Sequence, residues 1–229
     1  MSSAIVRCRA LSRIYNPDTL PVVALDQVDF AMDAGEFVSL AGPSGSGKST
    51  LLNLIGGLDR PTSGEIVVDG EDLSALSERE LADLRLHKLG FVFQAYNLVP
   101  VLSARENVEF ILQLQGVDAR TRKATAMELL ERVGLADLAE RRPGELSGGQ
   151  QQRVAVARAI STSPALLLAD EPSANLDSAA TESLLKLFAQ LNEEREVTIL
   201  TATHDPVVQS YARRRLQLRD GRIVLDERA

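Results

Sequence analysis

Two hydrophobic periods run along this chain, and the places where one gives way to the other divide it into blocks. Val6, Cys8 and Ala10 alternate with Arg7, Arg9 and Leu11, and Val28, Phe30 and Met32 alternate with Asp29 and Ala31. A period of two predicts half-buried antiparallel strands. Glu36 to Ala41 is a short apolar run suited to a buried strand, Glu65 to Asp69 and Phe91 to Gln94 are further strands, and Asp69-Gly70 is a turn. Ser77 with Glu80 forms a capping-box pattern for a short helix reaching about Leu86. From Ser103 to Ala159 the spacing turns helical, with a second capping box at Ser103 and Glu106 and one helix face marked by Leu129, Leu130 and Val133. Strand and helix then alternate: strand Leu166 to Ala169, helix Ser178 to about Glu193, strand Val197 to Ala202, and a helix opened by Asp205 at the N-cap and Pro206 at the first position. Arg215 to Leu225, centred on Asp220-Gly221, reads as a hairpin. The order predicts one α/β domain over 1–229, with a core and antiparallel β subdomain from about 1–93 and 160–229 and a helical subdomain inserted at about 95–159.

Composition narrows the partners. At 229 residues and 45% hydrophobic content, the chain can bury the core of a large α/β domain. A net charge of −7 repels nucleic acid, and Arg213-Arg214-Arg215 reads as a solvated helix end rather than a binding patch. Cys8 is the only cysteine, which excludes an internal disulfide or a cysteine metal cage, suits a reducing compartment and leaves core filling as its role. Met1 to Ala10 contains no apolar stretch of leader type, and apolar runs such as Ala165 to Ala169 are far too short to span a bilayer. Work at a membrane would require another chain to cross it.

The chemistry concentrates at Gly42-Pro43-Ser44-Gly45-Ser46-Gly47-Lys48-Ser49-Thr50, which fits the phosphate-binding pattern G-x-x-x-x-G-K-[ST]. Three glycines let backbone N–H groups converge on phosphate oxygens without Cβ atoms in the way. Lys48 adds a point charge, the Ser49 hydroxyl can ligate Mg²⁺, and Thr50 onward opens a helix whose dipole favours the same anion. The required order of strand, loop and helix is present.

Two further clusters matter beside it. Ala165 to Ala169 followed by Asp170 and Glu171 is a buried strand ending in acids; beside Ser49, Asp170 could hold Mg²⁺ and Glu171 could polarise an attacking water. Leu146-Ser147-Gly148-Gly149-Gln150 is a second glycine-rich loop opening a helix. It offers amides, a hydroxyl and a positive dipole end to an anion, while Ser147 would equally serve as an ordinary N-cap.

Gly42–Thr50, Leu146–Gln150 and Ala165–Pro172, in that order, resemble the nucleotide-binding subunit of an ATP-binding cassette (ABC) protein, and the similarity runs the whole length. The resemblance implies a P-loop NTPase core of ABC ATPase type with ATP and Mg²⁺ as cofactors. It also implies a head-to-tail dimer in which Leu146, Ser147, Gly148, Gly149 and Gln150 meet the γ-phosphate held by the other copy. Gln94 matches the glutamine that reaches Mg²⁺ and the attacking water, with its flanking loop facing a transmembrane partner. His204 matches the histidine that contacts the γ-phosphate, Ser173 to Asp177 matches the loop crossing the dimer interface, and Tyr15 sits where an aromatic ring stacks on adenine. Gln94 could also be a strand-end polar group, His204 a helix cap, and Tyr15 a packing residue.

Within the family, Gly35–Val38, Leu54–Pro61 and Gly90–Pro100 are similar to the lipoprotein-release and macrolide-export branch. That implies an ATPase on the cytoplasmic face, attached through a permease and driving transport. Ser173-Ala174 and Thr201-Ala202-Thr203 depart from that branch, where Thr-Gly and a more hydrophobic strand end are usual. A cassette acting on a non-transporting membrane partner, as in cell-division complexes that signal to wall hydrolases, is the alternative. A soluble cassette acting on DNA or ribosomes is disfavoured by the acidic charge and by the absence of sustained heptads in the hundred or so residues between Lys48 and Ser147.

Overall fold

A computed structural model describes residues 4–195 and 197–228; part of the stretch Met1 to Ala10 expected to lack a leader therefore lies outside the described residues. Strands β1 (Val6–Tyr15) and β2 (Val22–Met32) form an antiparallel pair, and β3 (Phe37–Ala41) leads into α1 (Lys48–Ile55). After β4 (Ser63–Val68), β5 (Glu71–Asp72) and α2 (Glu78–Lys88), the chain enters β6 (Leu89–Phe93). Then come α3 (Ala104–Leu114), α4 (Ala119–Arg132), two short 3-10 turns and α5 (Gly148–Ile160). The final stretch comprises β7 (Leu166–Asp170), α6 (Ser178–Arg195), β8 (Thr198–Thr203), α7 (Pro206–Tyr211), β9 (Arg214–Arg219) and β10 (Arg222–Arg228).

These elements build two sheets. One is antiparallel, in the order β2-β1-β4-β5; the other runs β10-β9-β3-β8-β7-β6, parallel except for the edge strand β10. The central strands β3, β7 and β8 are buried along nearly their whole length, which is why they read as apolar runs without alternation. Their side chains still alternate between two cores. Val38, Leu40, Leu168 and Leu200 pack with α1 and the antiparallel sheet, while Phe37, Leu167, Ala169 and Ile199 pack with α5, α6 and the helical block. Each such leucine contributes about 1.5–3 kcal/mol by leaving water. Because the strands are parallel, Ala41, Asp170 and Thr203 arrive together at one sheet edge, where ligands of open α/β sheets bind.

Several local expectations shift. The alternation in β1 slips after Cys8: Ala10 is exposed at φ 45° and Leu11 is fully buried, because a register shift between Cys8 and Leu11 inserts a bulge. Strand β6 stops at Phe93, leaving Gln94 in the following turn, and β4 ends at Val68, before Asp69. Helix α1 starts at Lys48 rather than at Thr50, and α2 continues two residues past Leu86.

Arg213-Arg214-Arg215 is not a solvated helix end. Arg214 begins β9 and is buried, donating to both oxygens of Asp226 at 2.7 and 2.6 Å, to the Ala31 carbonyl at 2.8 Å and to Glu36 at 3.1 Å. Its guanidinium also lies over the Phe30 ring. The correction follows from topology: β9 enters the central sheet beside β3, and Arg214 is satisfied by partners far from it in sequence. Cys8 is buried as expected, and desolvation pushes its thiol up to about 12, so it stays protonated and inert. Among the described residues, no helix is long and apolar enough to cross a membrane.

Candidate active site

The phosphate-binding pattern occupies the turn between β3 and α1. Gly47 stands at the N-cap of α1 with φ 105° and offers no side-chain cap, so the first amides of the helix point out unclaimed by any capping side chain. A side chain there is forbidden by sterics as well as by φ: a Cβ on Gly47 would collide with the Ala24 carbonyl oxygen of β2. At Gly42 a Cβ would strike the Leu218 carbonyl of β9. These glycines thus let the loop nest against two neighbouring strands as well as approach a phosphate. The Gly221 amide donates to the Ser46 carbonyl at 3.1 Å and fastens the loop to the β9–β10 turn. Lys48, buried, donates to the Gly42 and Pro43 carbonyls at 2.7 and 3.1 Å, which centres its ammonium inside the curl.

Strand β7 delivers the acids. Burial pushes the Asp170 carboxyl above its ordinary value; the Ser49 hydroxyl and Lys48 oppose that shift, and Glu171 adds to it. Asp170 Oδ1 is buried with no hydrogen-bond partner. Glu171 has φ 46°, in the left-handed region costly for a side-chain-bearing residue, and its amide donates to the Ala202 carbonyl at 2.9 Å. That turn sends the two carboxylates in different directions. Glu171 lies 3.9 Å from Lys48 Nζ and 3.0 Å from His204 Nδ1 through either oxygen. His204 is therefore not the helix cap; Asp205 is, accepting from the Val207 amide at 2.8 Å.

A cavity of about 730 Å³ joins these parts. Tyr15, Val22, Val23 and Ala24 form one end; Pro43, Ser44, Gly45, Gly47, Lys48, Ser49 and Thr50 form the floor; Gln94, Glu171, Ala174 and His204 form the far wall. One concave site thus brings together the aromatic ring, the phosphate loop, the glutamine, the acid and the histidine. Gln94 is exposed, and its carbonyl accepts from Asn175 at 2.9 Å, which ties the turn after β6 to the loop after β7.

The second glycine-rich loop is not among the residues lining that cavity. Ser147 N-caps α5 in a full capping box with Gln150: the Ser147 hydroxyl accepts from the Gln150 amide at 3.3 Å, and the Gln150 side chain accepts from the Ser147 amide at 2.8 Å. Leu146 is buried and anchors the loop, while Ser147 is exposed. Gly148 faces the Tyr96 hydroxyl and Gly149 the Ala180 methyl. Asp177 accepts from the Ala180 amide at 2.8 Å and so caps α6, whose Ala180 packs against Gly149, and Asp177 is not among the residues lining the cavity.

Comparison with known proteins settles the family. Residues 25–174, well over half of the chain, match the family described as ABC transporter. The chain belongs to the ABC transporter family. An uncharacterized ABC transporter ATP-binding protein of Thermotoga maritima is 49% identical over 92% of this cassette and 90% of its own length. The macrolide export ATP-binding/permease protein MacB of Syntrophobacter fumaroxidans is 46% identical over 95% of this cassette, which spans only 31% of MacB. Among solved structures, a dimeric post-hydrolysis state of the ATP-binding cassette MJ0796 bound to ADP and Pi superposes with a TM-score of 0.91 at 41% identity, covering 97% of this chain and 98% of that one. The cassette is an ATP-binding ATPase with the fold of these structures.

Sequence reasoning missed two features of the cassette's site. The direct pairing of His204 with Glu171 joins residues 33 apart, and no local pattern announces it. Asp59, which bonds both Arg13 and Tyr15 at the aromatic end, lies within Leu54–Pro61, a stretch whose only signal in sequence is its family resemblance.

Proposed function

We propose that two copies of this cassette sandwich two ATP molecules head to tail and use their hydrolysis to drive a separate membrane permease of the lipoprotein-release or macrolide-export type. The observation that carries the reading is the separation of the two glycine-rich helix starts: one lines the nucleotide cavity, and the other, opening on the exposed Ser147, is not among the residues lining it. A partner copy supplies the geometry that brings Ser147, Gly148, Gly149 and Gln150 over a γ-phosphate, with Asp177 at the shared interface. Dimeric structures of a similar cassette support the pairing, and MacB, in which ATP-binding and permease functions share one name, supports the partner.

In the cavity, Lys48 and the amides of Gly45 to Thr50 would hold the β- and γ-phosphates. The Ser49 hydroxyl and the unpartnered Asp170 Oδ1 form an oxygen pair that fits Mg²⁺, and Gln94, which lines the same cavity as Ser49, would be a further ligand. Bound there, Mg²⁺ would neutralise charge on the phosphate oxygens. Glu171 would take the proton of the attacking water, and His204, bonded to Glu171, would orient it and meet the γ-phosphate. Tyr15 at the opposite end would stack on adenine. Val101, and Phe110 and Leu114 one turn apart on α3, are exposed and apolar and would face the permease, placing the cassette on the cytoplasmic face.

Two measurements test the reading. ATPase activity per chain should rise with protein concentration and nearly vanish on dilution to monomers; undiminished turnover by monomers contradicts the sandwich. Affinity purification of the tagged cassette from membranes should recover a permease; recovery of a hydrolase-signalling membrane protein, or of ribosomes, replaces the transport assignment.

A further inference from the structure

The aromatic end of the cavity is held by a three-residue arrangement that the phosphate chemistry does not use. Asp59 accepts from Arg13 in bidentate fashion, Nε at 2.9 Å and Nη2 at 2.7 Å, and its Oδ2 also accepts from the Tyr15 hydroxyl at 2.9 Å. The Arg13 guanidinium stands 4.5 Å from the Tyr15 ring centroid. Tyr15 lines the cavity, but neither Arg13 nor Asp59 does. The ring is thus covered by a cation on one face, tethered at its hydroxyl, and in contact with the cavity.

Chain geometry links this clamp to the phosphate loop. Helix α1 begins at Lys48 and ends at Ile55, a rigid rise of about 12 Å. The chain leaves it through Leu58 and Asp59, whose amides donate to the Asn53 carbonyl at 2.8 and 3.3 Å. Three residues on, the Thr62 amide donates to the Ser12 carbonyl at 2.8 Å and its hydroxyl accepts from the Ile14 amide at 2.9 Å. The far end of the phosphate-loop helix is therefore docked onto the end of β1 that carries Tyr15.

We infer that Asp59 is a positioning residue for the nucleobase: it holds the Tyr15 ring, directly and through Arg13, at a fixed distance from the phosphate loop with one face presented to adenine. The inference rests on the stacking of Tyr15 proposed above. Its physical basis is pre-organisation. A tyrosine at a strand end must give up rotamer freedom to stack, and a ring already clamped loses little. Arg13 stacks on the ring as a planar cation while its fork satisfies Asp59, a combination lysine could not reproduce.

Calorimetric titration of the intact cassette with Mg-ATP and, separately, with Mg-tripolyphosphate tests this, because only ATP carries a base. Asp59→Asn should weaken ATP about two- to tenfold, the range for immobilising one flexible side chain, and leave tripolyphosphate and kcat unchanged. Tyr15→Phe, which keeps the ring and removes only its bond to Asp59, should weaken ATP in the same selective way. Tyr15→Ala should weaken ATP about five- to hundredfold, as expected for a lost base stack, and adding Asp59→Asn should then cost nothing more. Equal weakening of ATP and tripolyphosphate by Asp59→Asn, or full additivity with Tyr15→Ala, overturns the inference. Unchanged ATP affinity in Asp59→Asn beside a base-dependent loss in Tyr15→Ala overturns it while sparing the stack. Unchanged affinity in Tyr15→Ala removes the stack and the inference with it.

Discussion

Helices α1 and α5 both open on glycine-rich loops, yet the first turn of α1 has no side-chain cap, whereas that of α5 is closed by Ser147 and Gln150. Around α1 the backbone of β2, β9 and the β9–β10 turn presses on the loop from outside, so its shape is imposed by neighbours and its amides are left for an anion. The start of α5 is stabilised from within, by its own side chains, and stands in solvent. A helix end that must be ready before the ligand arrives is built by its surroundings. One closed by its own side chains keeps its shape without a neighbour, and in the proposed sandwich those self-made bonds would have to exchange for a partner's phosphate.

The largest test of this contrast concerns the chemistry at the α1 end. Glu171→Gln should slow ATP turnover by about 10²–10⁴ while ATP still binds, the range for losing a general base; unchanged turnover in a rapid-quench assay would remove Glu171 from that role. Gly47→Ala should cost about 1–3 kcal/mol in denaturant melts, from strain at φ 105° and collision with Ala24. Gly149→Ala, which meets only a methyl group 3.0 Å away, should stay within about 1 kcal/mol. Equal losses would erase the distinction between an imposed loop and a self-supported one.

Smaller effects sharpen it. Ser147→Ala removes the α5 cap and should lower stability by about 0.5–2 kcal/mol, while ATP affinity of the isolated chain stays at the parental value. A drop in that affinity would mean that the second loop serves its own chain's nucleotide. At the α1 end, Asp170 is an acid whose carboxyl is raised by burial, so its ionised form is disfavoured in the folded protein. The stability it withholds is absent below the unfolded pKa of about 3.9 and grows as pH rises through the folded one. Asp170→Asn should accordingly melt higher than the parent without nucleotide, by a margin that opens as pH rises above about 3.9 and levels off once the folded carboxyl has ionised. A margin independent of pH would exclude the buried charge as its cause.

What could be read from the sequence was whatever the chain writes locally. The phosphate loop shows as a fixed spacing of residue types, while the capping boxes at Ser77 and Ser103, Asp205-Pro206 and the Asp220-Gly221 turn each depend on residues a few positions apart, and each stands where its pattern implies. Arg214 was misread because three consecutive arginines look solvated until β9 inserts beside β3 and brings Glu36 and Asp226 to the middle one. The slip at Ala10 was invisible for a similar reason, since a bulge is settled between paired strands and Asp29 holds the Ala10 amide from the neighbouring one at 2.9 Å. At the site, residue types were legible, but the contact of Glu171 with His204 and the clamp on Tyr15 belong to the tertiary structure alone.

The β9–β10 turn carries one more implication. Gly221 donates its amide to Ser46 and accepts from the Asp26 amide at 2.9 Å, so the triphosphate cradle leans on a residue synthesised about 175 positions after it. A chain still being made lacks this support until Gly221 has left the ribosome and the β9–β10 turn has closed, so the loop takes its final shape only after the sheet that follows it has assembled.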